Sequence, residues 1–124
     1  MTTTTNHKTI LKFFVKLQTT IRLFHWTTKS YSKHVAADIA YGKLDDLIDD
    51  FVESYLAHFK MSTNIIMSKI SMNCRVYNDK AMLNYLIRKR DDLSAMDFKF
   101  NDLSSIRDEM ITVLSKTIYL FDTQ

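Results

Sequence analysis

In 124 residues this chain has no proline and a single glycine, Gly42. Tight β-hairpins, bulges and left-handed turns draw on glycine, and proline punctuates loops. A fold built from many short strands has almost nothing here to turn with. Collagen-like repeats are excluded for the same reason. So are glycine-rich phosphate loops and dinucleotide fingerprints, which need several glycines at fixed spacing. Helices joined by few connections are what such a sequence can build, and an all-α fold is expected.

Composition narrows the class further. Apolar residues make up 46% and charged residues 25%, a globular balance and not a disordered one. The length suits one domain. One cysteine, Cys74, rules out an internal disulfide and any all-cysteine zinc site. It fits a reducing compartment, and a cytoplasmic or virion location is expected over a secreted one. No apolar run approaches membrane-spanning length, so no membrane partner is expected.

The net charge is only +3, but it is unevenly placed. Residues 1–30 hold five bases and no acid, whereas residues 31–59 hold six acids against Lys33 and Lys43. Residues 60–90 are basic again and 91–124 acidic. Such alternation favours packing between complementary segments or copies over a single nucleic-acid-binding face.

Hydrophobic periodicity places the elements. Residues 1–6 read as a polar tail with Asn6 as a cap, and 7–124 as a four-helix bundle. The first helix carries Ile10, Phe14, Leu17, Ile21 and Phe24 on one seam. Ser32 is the expected cap of a second helix over 33–59, with a seam of Tyr41, Leu44, Ile48, Phe51, Tyr55 and Phe59. Residues 60–77 lose the period and read as an irregular crossover. Asn78 or Asp79 caps a third helix with Met82, Leu83, Leu86 and Leu93. A polar break at 97–101 precedes a fourth helix, opened by Asp102, with Leu103, Ile106, Met110, Val113, Thr117 and Phe121. A helix–turn–helix pair, a long connection and two more helices describe a bundle.

The second helix carries the residues that point to chemistry. With His34 at zero, Asp38 falls at about 40°, Asp49 at about 60° and Glu53 at about 100° around the axis. The four share one face, expected to border the apolar seam, with Asp46 and Asp50 turned outward. His34 and Glu53 are about 28 Å apart along the helix, so one ion cannot be held by both ends. The pairs 34/53 and 38/49 are, however, both centred between Lys43 and Leu44. An antiparallel copy crossing near Lys43 sets His34 against the copy's Glu53, and Asp38 against its Asp49. Gly42 lies near that crossing, where a missing side chain permits close approach. This is the geometry of a two-fold homodimer with two equivalent sites. His25, beside Trp26 at the end of the first helix, adds a second imidazole. Two imidazoles with two or three carboxylates suit Fe(II), Mn(II) or Zn(II). Against this stand plainer readings: acids on a helix as a solvated face, a histidine beside tryptophan as a packed structural residue. His7 and His58 belong to no pattern and read as bystanders.

Phe24-His25-Trp26, the step His34-Val35-Ala36-Ala37-Asp38 and, eleven residues on, the step Asp49-Asp50-Phe51-Val52-Glu53 resemble the Dps-like miniferritins of the ferritin superfamily. The resemblance covers about residues 10–56. It implies a ferritin-like four-helix bundle and a di-iron ferroxidase centre shared across a dimer two-fold. His25, His34 and Asp38 would come from one subunit, and Asp49 and Glu53 from the other, with Trp26 near the metals. No catalytic group beyond the metal ligands is implied. The implied activity is oxidation of Fe(II) by peroxide or oxygen, with mineral storage in a hollow homo-oligomer. The lysine-rich tail by which family members bind DNA has no counterpart before Lys8, so nucleic acid is not an expected partner. The sequence is also similar to short Dps-like proteins of large DNA viruses and phages. The alternative this implies is a non-enzymatic helical structural or assembly protein, virion-associated and minor capsid-like, with other structural proteins as partners.

Overall fold

The computed structural model describes residues 3–60 and 72–123. Four helices lie among them: α1 (Thr3–Thr27), α2 (Tyr31–Phe59), α3 (Asp79–Ala95) and α4 (Asn101–Asp122). No strand occurs among the described residues, as the scarcity of glycine and proline requires. The described residues form an all-helical four-helix bundle.

Helix boundaries follow from local chemistry. α1 starts at Thr3 and not after Asn6, so Asn6 lies inside the helix and the expected cap is not one. α2 also starts earlier than its period suggests. Its cap is Ser30, not Ser32: the Ser30 hydroxyl accepts from the backbone N–H of Lys33. Such a cap satisfies one of the orphan amides of a first turn and contributes about 1 kcal/mol. Lys60 adopts the left-handed conformation and ends α2, the task glycine performs in most helices. Asn78 caps α3, accepting from the amide of Ala81. α4 opens behind Phe100 with no side-chain cap, one residue ahead of Asp102.

The expected seams fill the core. Phe14, Leu17, Ile21 and Phe24 meet Leu44, Ile48, Phe51 and Tyr55 from α2, Met82 and Leu86 from α3, and Leu103, Met110 and Phe121 from α4. Leu11, Leu114 and the alanines Ala36, Ala37 and Ala40 are buried too, although the seams did not include them. Ile10, Tyr41 and Val113 pack only at its margin, and Phe59 is exposed. The break between α3 and α4 is less polar than it reads, because Phe98 is buried against Phe51, with ring centroids 4.8 Å apart. Arg107 then ties the break down. Its guanidinium donates to the carbonyl oxygens of Leu93 and Met96 at the end of α3.

Polar contacts at the two ends establish the connectivity. At one end, Thr28 after α1 donates to Asp79 at the start of α3. At the other, His58 at the end of α2 meets Asp102 at the start of α4. α2 therefore ends at the far end of the bundle from the point where α3 begins. α2 and α3 thus run parallel. Of the expected irregular crossover, Met72 to Asn78 is described and has no regular structure; residues 61–71 lie outside the described residues. α2 packs on α1 and on α4, and α4 on α3. Lys89 of α3 lies over the Phe13 ring of α1 at 5.4 Å, which closes the square.

This arrangement sorts charge. α1 carries four bases and no acid, and its neighbour α3 four bases against three acids. α2 carries six acids against two bases, and its neighbour α4 four against two. One wall of the bundle is basic and the opposite wall acidic.

Candidate metal half-site at the α1–α2 turn

α1 ends with carbonyls that have no intrahelical partner. One of these belongs to His25. The three-residue turn to α2 brings the second turn of α2 back against it, and the two histidines lock each other. His34 donates from Nδ1 to the His25 carbonyl at 2.7 Å, and His25 donates from Nδ1 to the His34 carbonyl at 3.1 Å. The rings stack with centroids 4.1 Å apart and planes 20° from parallel. A carbonyl oxygen only accepts, so both Nδ1 atoms must carry the proton. In each neutral ring Nε2 is then the lone-pair nitrogen, fixed in direction by the bond on the opposite side. A carbonyl bonded to the far nitrogen in this way fixes the tautomer and the aim of a histidine that binds a metal.

Asp38, one turn beyond His34, adds a carboxylate. Its Oδ1 lies 3.8 Å from His25 Nε2. That separation is too long for a hydrogen bond. It leaves room for a cation between the two atoms, since metal–ligand bonds to imidazole and carboxylate are about 2.1 Å. His25 is largely covered, whereas the Asp38 side chain is 68% exposed.

Asp49 and Glu53 are not near this cluster. They lie further along α2, exposed on its outer side. Asp38, Asp49 and Glu53, on the face expected to border the apolar seam, are all exposed, as Asp46 and Asp50 are; Asp38 meets the edge of α1 at His25. Asp45 turns toward α1, where Gln18 donates to its Oδ1 at 2.9 Å. Among the described residues, no group of three or more His, Cys, Asp or Glu side chains in one chain is arranged to hold a metal ion. One chain thus brings together His25, His34 and Asp38 and leaves Asp49 and Glu53 apart.

Around the cluster the surface is aromatic. Trp26 is 64% and Tyr31 81% exposed, and Val35 and Ile39 continue this apolar exposure along α2. Tyr31 stacks toward His34 at 6.4 Å. Arg22 lies between Trp26 and Tyr41, its guanidinium carbon 5.4 and 4.4 Å from the two ring centroids. A Cβ placed on Gly42 would meet nothing within 4 Å. No close approach among the described residues explains this glycine.

Two histidines outside the pattern have structural work. His7 is buried and hydrogen-bonds the Tyr55 hydroxyl; burial pushes that phenol up to about 12, so it stays protonated. His58 stacks on Phe100 and bonds both carboxylate oxygens of Asp102 at 2.9 Å. This bond, before any other cause, holds the Asp102 carboxyl below the usual value. Reading the histidines for sequence spacing alone missed both. Their positions near helix ends, each within reach of an aromatic residue, were the available signal.

Fold and site together define a helical-bundle protein with two oriented imidazoles and one carboxylate at a helix turn. The chain belongs to a family described as a family of unknown function (DUF5856), whose model matches residues 25–121. That span contains His25, His34, Asp38, Asp49 and Glu53. An "Uncharacterized 14.6 kDa protein in mobD-ri intergenic region" of Enterobacteria phage T4 is 50% identical over 34 residues, 27% of each chain. The match therefore spans about a quarter of that relative's length. No solved structure matches the chain. Among the described residues, no helix is long and apolar enough to cross a membrane.

Proposed function

We propose that this protein is a ferritin-like, Dps-like iron-oxidising protein whose di-metal sites form between two copies of the chain. The observation that carries this reading is the reciprocal bonding of His25 and His34, which fixes the direction of both Nε2 lone pairs and sets that of His25 3.8 Å from the Asp38 carboxylate. Two helix pairs in which α2 runs parallel to α3 match the connectivity of ferritin-like bundles, which supports the same reading.

One chain supplies His25, His34 and Asp38. An antiparallel copy of α2, centred between Lys43 and Leu44, supplies Asp49 and Glu53. Fe(II) is the substrate. The imidazoles hold the softer Fe(II), and the carboxylates stabilise the harder ferric product. Two Fe(II) ions each give up one electron. Hydrogen peroxide takes both, with two protons, and leaves as water. Oxygen is the alternative oxidant, and Mn(II) or Zn(II) suits the same donors.

Anaerobic titration with Fe(II), followed by metal analysis of the desalted protein, tests the reading. Stoichiometric binding is expected in the intact chain. It should be lost in the Asp49→Ala, Glu53→Ala double variant, although neither residue lies near the histidines of its own chain. An intact protein that binds no Fe(II) favours a second reading, a helical structural or assembly protein. The similarity to a phage protein over 34 residues and the exposed Trp26, Tyr31 and Ile39 support that alternative.

A further inference from the structure

Arg22 is a cation without a carboxylate partner among the described residues. It is also not loose, since the rings of Tyr41 and Trp26 hold its guanidinium on the open side of the α1–α2 pair. Ring stacking leaves the N–H edges of a guanidinium free to donate. Such a positioned, unpaired cation fits an acidic group brought from outside the chain.

α2 is complementary to itself along its length. Residues 31–43 hold Lys33 and Lys43 with one acid, Asp38, and Arg22 of α1 lies beside them at Tyr41. Residues 44–59 hold five acids and no lysine or arginine. Turning a copy about a two-fold lays the basic half of each on the acidic half of the other. Gly42, with open space before it, lies near the middle of that contact.

Register identifies the partner. Three contacts align α1 with α2 at one constant offset: Arg22 beside Tyr41, Gln18 bonded to Asp45, and His25 near Asp38. A two-fold centred between Lys43 and Leu44 sets Tyr41 level with residue 46 of the copy, one residue from Asp45. An antiparallel α2 pair related this way keeps α1 on the same side in both copies. Asp45 is the acid on that side, because Gln18 of α1 bonds it. Asp46 instead borders a groove with Glu109 and Val113 of α4. Gln18 occupies Oδ1 of Asp45 and leaves Oδ2 free to accept.

We propose that Arg22 of each chain pairs with Asp45 of a second copy, giving two symmetry-related pairs that set the register of the dimer. The pairing rests on the two-fold arrangement of the preceding reading and not on iron chemistry.

Sedimentation equilibrium of the full chain tests it, with Zn(II) present as a redox-silent metal and again with a chelator. Arg22→Glu and Asp45→Arg should each weaken dimerisation about tenfold or more, and the double charge swap should recover most of the loss. Arg22→Gln should weaken it less, and circular dichroism should find unchanged helix content in all four variants. An intact chain that dimerises while Arg22→Glu and Arg22→Gln dimerise equally well overturns the pair and leaves the two-fold site standing. So does a double swap no better than its worse single variant. An intact chain that stays monomeric with and without Zn(II) overturns both.

Discussion

Gly42 sits in the middle of a 29-residue helix, exposed, with no neighbour within 4 Å of where a Cβ would be. Glycine there costs its helix about 1 kcal/mol relative to alanine. Among the described residues nothing offsets that cost, and the proposed two-fold would place the offset at the contact between copies. Gly42→Ala should therefore stabilise the monomer by about 0.5–1 kcal/mol in urea unfolding, and the same variant should self-associate more weakly by sedimentation. An alanine variant that is less stable as a monomer, or that associates as well as the parent, contradicts this. The histidine pair shows where residue-level reading stops. Spacing alone put His34 and Asp38 on one face and placed His25 nearby. It could not supply the reciprocal Nδ1 bonds, because those depend on an orphan carbonyl at the end of α1 meeting a ring from the next helix.

At the level of elements, the helices were legible because their apolar periods are long and uninterrupted. Their ends were less so. Ser30 and Ser32 are equally good caps on paper, and only the path of the turn selects Ser30. Phe98 was hidden for a related reason: a single aromatic among polar neighbours reads as loop until a neighbouring helix offers it a cavity. The elements are also pinned at their ends, and there pH acts. Asp102 at the start of α4 has a lowered carboxyl value, caused first by its bond to His58 at the end of α2. A carboxylate lowered in the folded state contributes stability that is fully present above its unfolded value. That contribution fades as pH falls through the lower folded one. The stability gap between the parent and Asp102→Asn should thus be constant above about pH 5 and close progressively below the ordinary value of 3.8. Denaturant melts across that range measure it. Because Asp102 is exposed, the gap is small, and a gap that widens on acidification contradicts the assignment.

The whole molecule poses a problem that one chain does not solve. Its acids crowd the outer side of α2, and the proposed two-fold would set Asp38 opposite Asp49 of the copy. Two carboxylates facing one another across a contact repel unless a proton or a cation lies between them. Dimerisation and metal binding are therefore expected to be linked: Zn(II) or Fe(II) should lower the dimer dissociation constant, and chelation should raise it again. Asp49→Ala should remove most of this metal dependence. Sedimentation with and without metal reads the effect directly, and a dimer equally tight in both conditions contradicts a shared site. Net charge gave no hint of this, since +3 conceals a basic α1–α3 wall and an acidic α2–α4 wall. The sorting has a consequence for anything built from many copies. The proposed two-fold, laying α2 on α2, would leave both acidic walls facing one way and both basic walls the other, making the pair a two-sided plate. Curving such plates into a closed container would line its interior with one sign of charge and coat its exterior with the opposite sign.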